Sequence, residues 1–155
     1  MTTLHGRTVL IVEDGDEYLH NLARFVPGPR YLQAHDGREA CALLAREPVA
    51  LVYLDMRFDR VPLESLLGDH AAATREQNGD PARGWKYLQN NQGLFVLDAI
   101  RRAGFAQVPV ILAYDFSREE KRLAHLRRAN PRLNWVPDAV TPAEITALME
   151  KVLAA

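Results

Sequence analysis

Short apolar runs alternate with amphipathic stretches along most of the chain. Thr8-Val9-Leu10-Ile11-Val12 is apolar and β-branched and predicts a first, buried strand that ends in Glu13-Asp14. Tyr18, Leu19, Leu22, Phe25 and Val26 then recur at helical spacing, and Pro27-Gly28-Pro29 stops that helix. Asp16 or Asp14 is suited to cap it, which leaves a second acid unexplained. Tyr31 to His35 reads as a second strand. Asp36-Gly37 opens the next helix, with Ala40, Leu43 and Leu44 facing inward and Glu47-Pro48 at its end. Val49 to Leu54 is the third strand, closed by the carboxylate of Asp55.

The pattern then lapses. From Met56 to about Gln92 no strand is legible. Val61 to Leu67 predicts a short helix with Pro62 near its start, and Gly68-Asp69 and Asn78-Gly79-Asp80-Pro81 are turn signals. Trp85, Tyr87 and Leu88 are too apolar for a free loop, so the stretch is expected to be ordered, with Trp85 and Tyr87 as its anchors. Connections beyond roughly 12–15 residues are uncommon in compact domains and usually functional or disordered.

Regularity returns at Gly93. Leu94, Leu97 and Ile100 mark a helix that ends at Arg101-Arg102-Ala103-Gly104, with positive charge and a glycine at its C-terminus. Val108 to Ala113 is the fourth strand. Ser117-Arg118-Glu119-Glu120 has capping-box spacing and is expected to open a charged helix through about Arg128. Leu133 to Val136 is a short fifth strand. Thr141-Pro142-Ala143-Glu144 is a second capping box, before a helix carrying Ile145, Leu148, Met149 and Val152. Five alternations of strand and helix predict an α/β fold, a doubly wound five-stranded parallel sheet of flavodoxin-like order 2-1-3-4-5. The residues from about 60 to 92 form a long insertion between the third strand and the third helix.

Composition narrows the class. The 155 residues suit one domain, taken here as 1–155. A formal net charge of -1 gives no bulk attraction to nucleic acid or to an anionic membrane. The lone cysteine, Cys41, excludes a disulfide framework and reads as a buried thiol in an apolar helix. Met1 to Arg7 has no apolar signal core and no run is long enough to span a bilayer, so a cytoplasmic setting is expected. The five histidines are scattered without metal-ligand spacing.

The candidate chemistry lies at the strand ends. In this topology ligands bind in the crevice between the first and third strands. Glu13, Asp14 and Asp55 converge there. Clustered carboxylates suit a hard divalent cation such as magnesium, and a carboxylate can attack phosphorus to form an acyl phosphate. A glycine-rich phosphate loop is missing, and Asp55-Met56-Arg57 lacks the second aspartate of an Asp-x-Asp hydrolase pair.

In these features the chain resembles the receiver domains of two-component response regulators. The resemblance is carried by Val9-Leu10-Ile11-Val12-Glu13-Asp14, Asp36-Gly37-Arg38-Glu39-Ala40, Leu54-Asp55-Met56, Gly93-Leu94-Phe95-Val96-Leu97 and Val108-Pro109-Val110-Ile111. It covers almost the whole chain except roughly residues 60–92. It implies that Glu13 and Asp14 bind magnesium, that Asp55 accepts a phosphoryl group from a histidine kinase, and that Arg57 offers its backbone carbonyl to the metal.

Two positions depart from that pattern. Where a receiver has Ser or Thr after the fourth strand, this chain has Tyr114. Where a receiver has lysine after the fifth strand, counting back from Thr141 places Asp138, and sliding the register places Val136. Two unit charges about 4 Å apart interact by roughly 4 kcal/mol at an effective dielectric of about 20. Exchanging the lysine for a carboxylate therefore costs several kcal/mol at most, and Arg57 is a candidate to relieve it.

The leading expectation is a stand-alone, non-enzymatic signalling protein that binds other proteins and carries a degenerate phosphorylation site. The rival is a conventional phospho-switch on Asp55 with magnesium. A weaker third is a ligand binder or enzyme using the crevice under the insertion. The basic fourth helix, with Arg118, Lys121, Arg122, Arg127 and Arg128, reads first as a solvated face. The resemblance also allows partner docking or a homodimer through the fourth and fifth helices.

Overall fold

In the computed structural model, which describes residues 3–154, five parallel strands stand in the order β2-β1-β3-β4-β5. They are β1 (Thr8–Val12), β2 (Arg30–Ala34), β3 (Leu51–Asp55), β4 (Val110–Ala113) and β5 (Leu133–Val136). Met1 and Thr2 of the stretch read for a leader lie outside the described residues. β1 is buried at every position and β3 at all but Asp55, as their uninterrupted apolar runs require. Val12 pairs with Leu54 and Asp55 with Ala113, so Glu13 and Asp55 leave the sheet at the same edge.

Helices cover both faces. α1 (Glu17–Phe25) and α7 (Pro142–Ala154) lie over one, where Leu22, Val26, Ile145 and Met149 pack on Ile11, Tyr53 and Ile111. α2 (Gly37–Arg46), the insertion, α5 (Gln92–Ile100) and α6 (Glu120–Ala129) lie over the other. Among the described residues no helix is long and apolar enough to cross a membrane.

Several ends form as the residues dictate. Asp36 accepts from Glu39 N–H at 2.8 Å and caps α2. Thr141 and Glu144 exchange hydrogen bonds as a capping box, with Pro142 first in α7. Gly104, at φ 96°, ends the widened last turn after α5. The capping box expected at Ser117 is not formed. Asp115 accepts from Ser117 N–H at 2.9 Å in a local turn, which delays α6 to Glu120 and leaves Glu119 free for other partners.

The insertion is ordered and helical. Beyond a short 3-10 turn at Leu63–Ser65 it forms α3 (His70–Glu76) and α4 (Pro81–Asn90), capped by Asp69 and Asp80. Gly84 lets the two helices approach, since a Cβ there would sit 3.0 Å from the Thr74 backbone. The anchor is Leu88, 1% exposed, rather than Tyr87, which is 37% exposed and stands edge-on to Phe95. Trp85 is half-buried and stacks on His70 at 3.6 Å. Gln92, itself buried, clasps the base of the hairpin. It accepts from Leu67 N–H at 2.7 Å and donates to the carbonyls of Leu67 and Leu88 at 3.1 Å.

Candidate functional site

Asp55 closes β3 on the face that α1 covers. Its Oδ1 accepts from Met56 N–H at 2.9 Å, and the Tyr18 hydroxyl points to the same oxygen at 3.5 Å, the outer limit of a hydrogen bond. Glu13, 6% exposed, turns its Oε1 onto Tyr18 N–H at 3.0 Å and so satisfies the start of α1. Asp16, at the N-cap position, makes no side-chain capping bond. Asp14 instead reaches the insertion. Its Oδ2 accepts from the backbone N–H groups of Asp59 and Arg60, both at 2.8 Å.

The electrostatics follow from this crowding. Burial pushes the Asp55 carboxyl up to about 7, eased by the Met56 N–H and reinforced by Glu13, Asp14 and Asp138. Burial likewise raises Glu13, and Tyr18 N–H opposes it. The hydroxyls of Tyr18 and Tyr53 are also raised, first by burial and then by Asp55. The largest charge effects on Asp55 come from the negative Glu13, Asp14 and Asp138.

The cation expected to relieve that charge is elsewhere. Arg57 is exposed and pairs with Asp59 at 3.3 Å. Arg60 approaches more closely. It meets Glu17 at 2.6 Å and lowers the Glu13 carboxyl through its charge. Gly15 leaves room for this pair, because a Cβ there would overlap the guanidinium. No sequence pattern singled out Arg60, which reaches the acids only through the path of the insertion.

The two divergent positions differ in kind. Tyr114 turns away from Asp55: its hydroxyl donates to Glu119, and Arg122 lies 5.6 Å over its ring while also donating to Asn91 at 2.8 Å. Asp138 stays near, exposed at the rim but close enough to raise Asp55, Tyr18 and Tyr53. Val136, the other register, is buried in the core between β5 and α7.

The oxygen-rich set is chemically suited to magnesium. As placed, however, one oxygen of each acid is spent on protein donors. Among the described residues no three His, Cys, Asp or Glu side chains converge as metal ligands. The acids as arranged do not make a magnesium centre.

No protein-family model matches the sequence, and no curated protein matches it. Solved structures do match in fold. The receiver domain of Francisella response regulator 1452 superposes with a TM-score of 0.63 at 14% identity, covering 96% of this chain and 98% of that one. A CheY-like receiver domain protein from Methanospirillum hungatei gives 0.63 at 14%, covering 96% and 94%. The receiver domain of NtrX from Brucella abortus gives 0.60 at 19%, covering 95% and 98%. The chain has the fold of a response-regulator receiver domain. At these identities the likeness is one of fold, and the receiver's site chemistry rests on the residues themselves. In this chain the insertion helices sit on the α2–α5 face. Among the described residues, Asp59 and Arg60, at the start of the inserted stretch, hydrogen-bond Asp14, a short strap beside the acids while the insertion helices pack on the other face.

Proposed function

We propose that this receiver acts in signal transduction by binding other proteins, with a phosphoacceptor site that is degenerate. The observation that carries the reading is the environment of Asp55. Its neighbours are Glu13, Asp14 and Asp138, all negative, and the arginines that follow it are paired with Asp59 and Glu17. A phosphoryl group on Asp55 would add further negative charge beside these three carboxylates. Tyr114, which stands where a receiver has its hydroxyl residue, spends its own hydroxyl on Glu119. The module then holds one state or responds to an input other than phosphate, and its partner is another signalling protein, such as a histidine kinase, or a second copy of the chain. No catalytic turnover is assigned to it.

The rival is the conventional switch, favoured by the common edge at which Glu13, Asp14 and Asp55 emerge. The test is intact mass after incubation with magnesium and acetyl phosphate. The expected result is an unchanged mass. Gain of one phosphoryl group that disappears in Asp55→Asn establishes the rival.

A further inference from the structure

Beside Asp55, between α1 and α7, lies a cavity of about 300 Å³. It is on the opposite sheet face from the insertion helices, so it is distinct from the crevice expected beneath them. Its walls divide into two kinds. Leu22, Val26, Val140 and Ile145 form an apolar side, and Tyr18, Tyr53 and Phe25 add aromatic rings. Asn21 and Asp138 supply the polar rim. An apolar cavity with a few convergent polar groups is the usual form of a small-ligand site.

Three observations select the ligand's chemistry. The first is charge: Asp138 lines the cavity, Tyr18 connects it to Asp55, and no lysine, arginine or histidine is among the lining residues. Arg24 stacks on Phe25 at 5.0 Å but does not line the cavity. The second is an unused polar group. Tyr53 is 2% exposed and lines the cavity, and among the described residues its hydroxyl takes part in no side-chain hydrogen bond. A hydroxyl at a cavity wall can donate to or accept from a ligand. The third is the rings themselves, whose faces attract cations.

We infer that this cavity binds a small organic cation, an amine on an apolar body, with the ammonium at Asp138 and the Tyr53 hydroxyl and the body against Leu22, Val26 and Ile145. The ligand supplies the positive charge that the chain does not place there. The inference goes beyond the signalling proposal and does not depend on whether Asp55 is phosphorylated. It adds an input by which the acid-edge loops would be biased toward one conformation.

The test uses the whole chain and three probes of one shape: 2-phenylethylamine, 2-phenylethanol and phenylacetate. Binding is followed by amide NMR shifts and calorimetry in magnesium-free buffer. The amine is expected to shift the amides of Tyr18, Asn21, Tyr53 and Asp138, to bind at least about tenfold more tightly than the alcohol, and to leave phenylacetate without measurable binding. Asp138 is exposed, so its variants keep the fold. Asp138→Asn should weaken the amine by about fivefold or more and leave the alcohol unchanged, and Asp138→Lys should abolish amine binding. Equal affinity for amine and alcohol, shifts confined to other surfaces, or no binding at millimolar amine overturns the inference. An Asp138→Asn variant with undiminished amine affinity overturns it as well.

Discussion

The Asp14 carboxylate accepts the backbone N–H of Arg60 at 2.8 Å across 46 residues of sequence. It takes the N–H of Asp59 at the same distance. An acid at the end of the first strand thus fixes the course of the chain as it leaves the third. The same strap brings Arg60 to Glu17 and turns Arg57 outward to Asp59. The insertion therefore shapes the charge around Asp55 although its helices pack on the other side of the sheet.

Removing that acceptor frees the strap. Asp14→Ala leaves the Asp59 and Arg60 amides without their partner, and their hydrogen exchange is expected to quicken by about tenfold, the equivalent of one charge-assisted hydrogen bond. Asp14→Asn keeps a carbonyl acceptor and should fall between the two. Unchanged exchange at both amides in Asp14→Ala would show that other contacts hold the strap.

Asp55 makes stability depend on pH in a defined direction. Its carboxyl is near 4 when unfolded and is raised to about 7 when folded. The folded chain therefore holds an extra proton between those values, and its stability falls as pH rises through that window. Above about pH 7 the buried charge costs up to about 4 kcal/mol. Asp55→Asn removes the charge and keeps the shape. Urea unfolding should find the variant more stable than the parent above pH 7, with the difference closing toward pH 4. A constant difference across this range would mean that Asp55 titrates normally.

How legible these features were depended on whether neighbours in sequence decided them. The sheet order was readable because β1 and β3 are unbroken apolar runs with acids at their ends. The Thr141 capping box was readable because its partners are three residues apart. The box at Ser117 had the same spacing and failed, because Asp115 lies two residues before it and takes the N–H first. The insertion helices were missed although Asp69 and Asp80-Pro81 are good helix starts. Their apolar stripe is thin: α3 buries only Ala73, and α4 only Gly84 and Leu88. Arg60 was missed for a different reason, since its nearness to Glu17 is set by a 46-residue contact of its own backbone.

Gly93 is where the third strand and α5 meet. Its N–H donates to the Met56 carbonyl at 2.8 Å, and a Cβ would lie 2.5 Å from the Asp55 carbonyl oxygen and 2.8 Å from the Met56 Cα. Both obstacles are backbone, which gives little. Gly93→Ala should cost about 2–3 kcal/mol through forced separation of α5 from β3. Gly79→Ala is the control: its φ is 78° but the space around it is open, so only the backbone preference, about 1 kcal/mol, is lost. Similar urea midpoints for the two variants would mean that α5 shifts freely.

Gln92 carries the insertion's attachment to the core. Its amide is the partner of Leu67 N–H, Leu67 C=O and Leu88 C=O, at positions 25 and 4 residues away. Leucine at this site would fill a similar volume and suit the apolar surroundings, so side-chain burial alone predicts little loss. The hydrogen bonds predict otherwise. An unmet buried N–H or C=O costs about 1–3 kcal/mol, and relaxation of the hairpin base toward water would recover part of it. Gln92→Leu is therefore expected to destabilise by about 2–4 kcal/mol, with exchange quickening first at Leu67 and then through α3 and α4, while β1 and β3 keep their protection. Uniform loss of protection across the sheet would instead show that the hairpin and the core unfold as one unit.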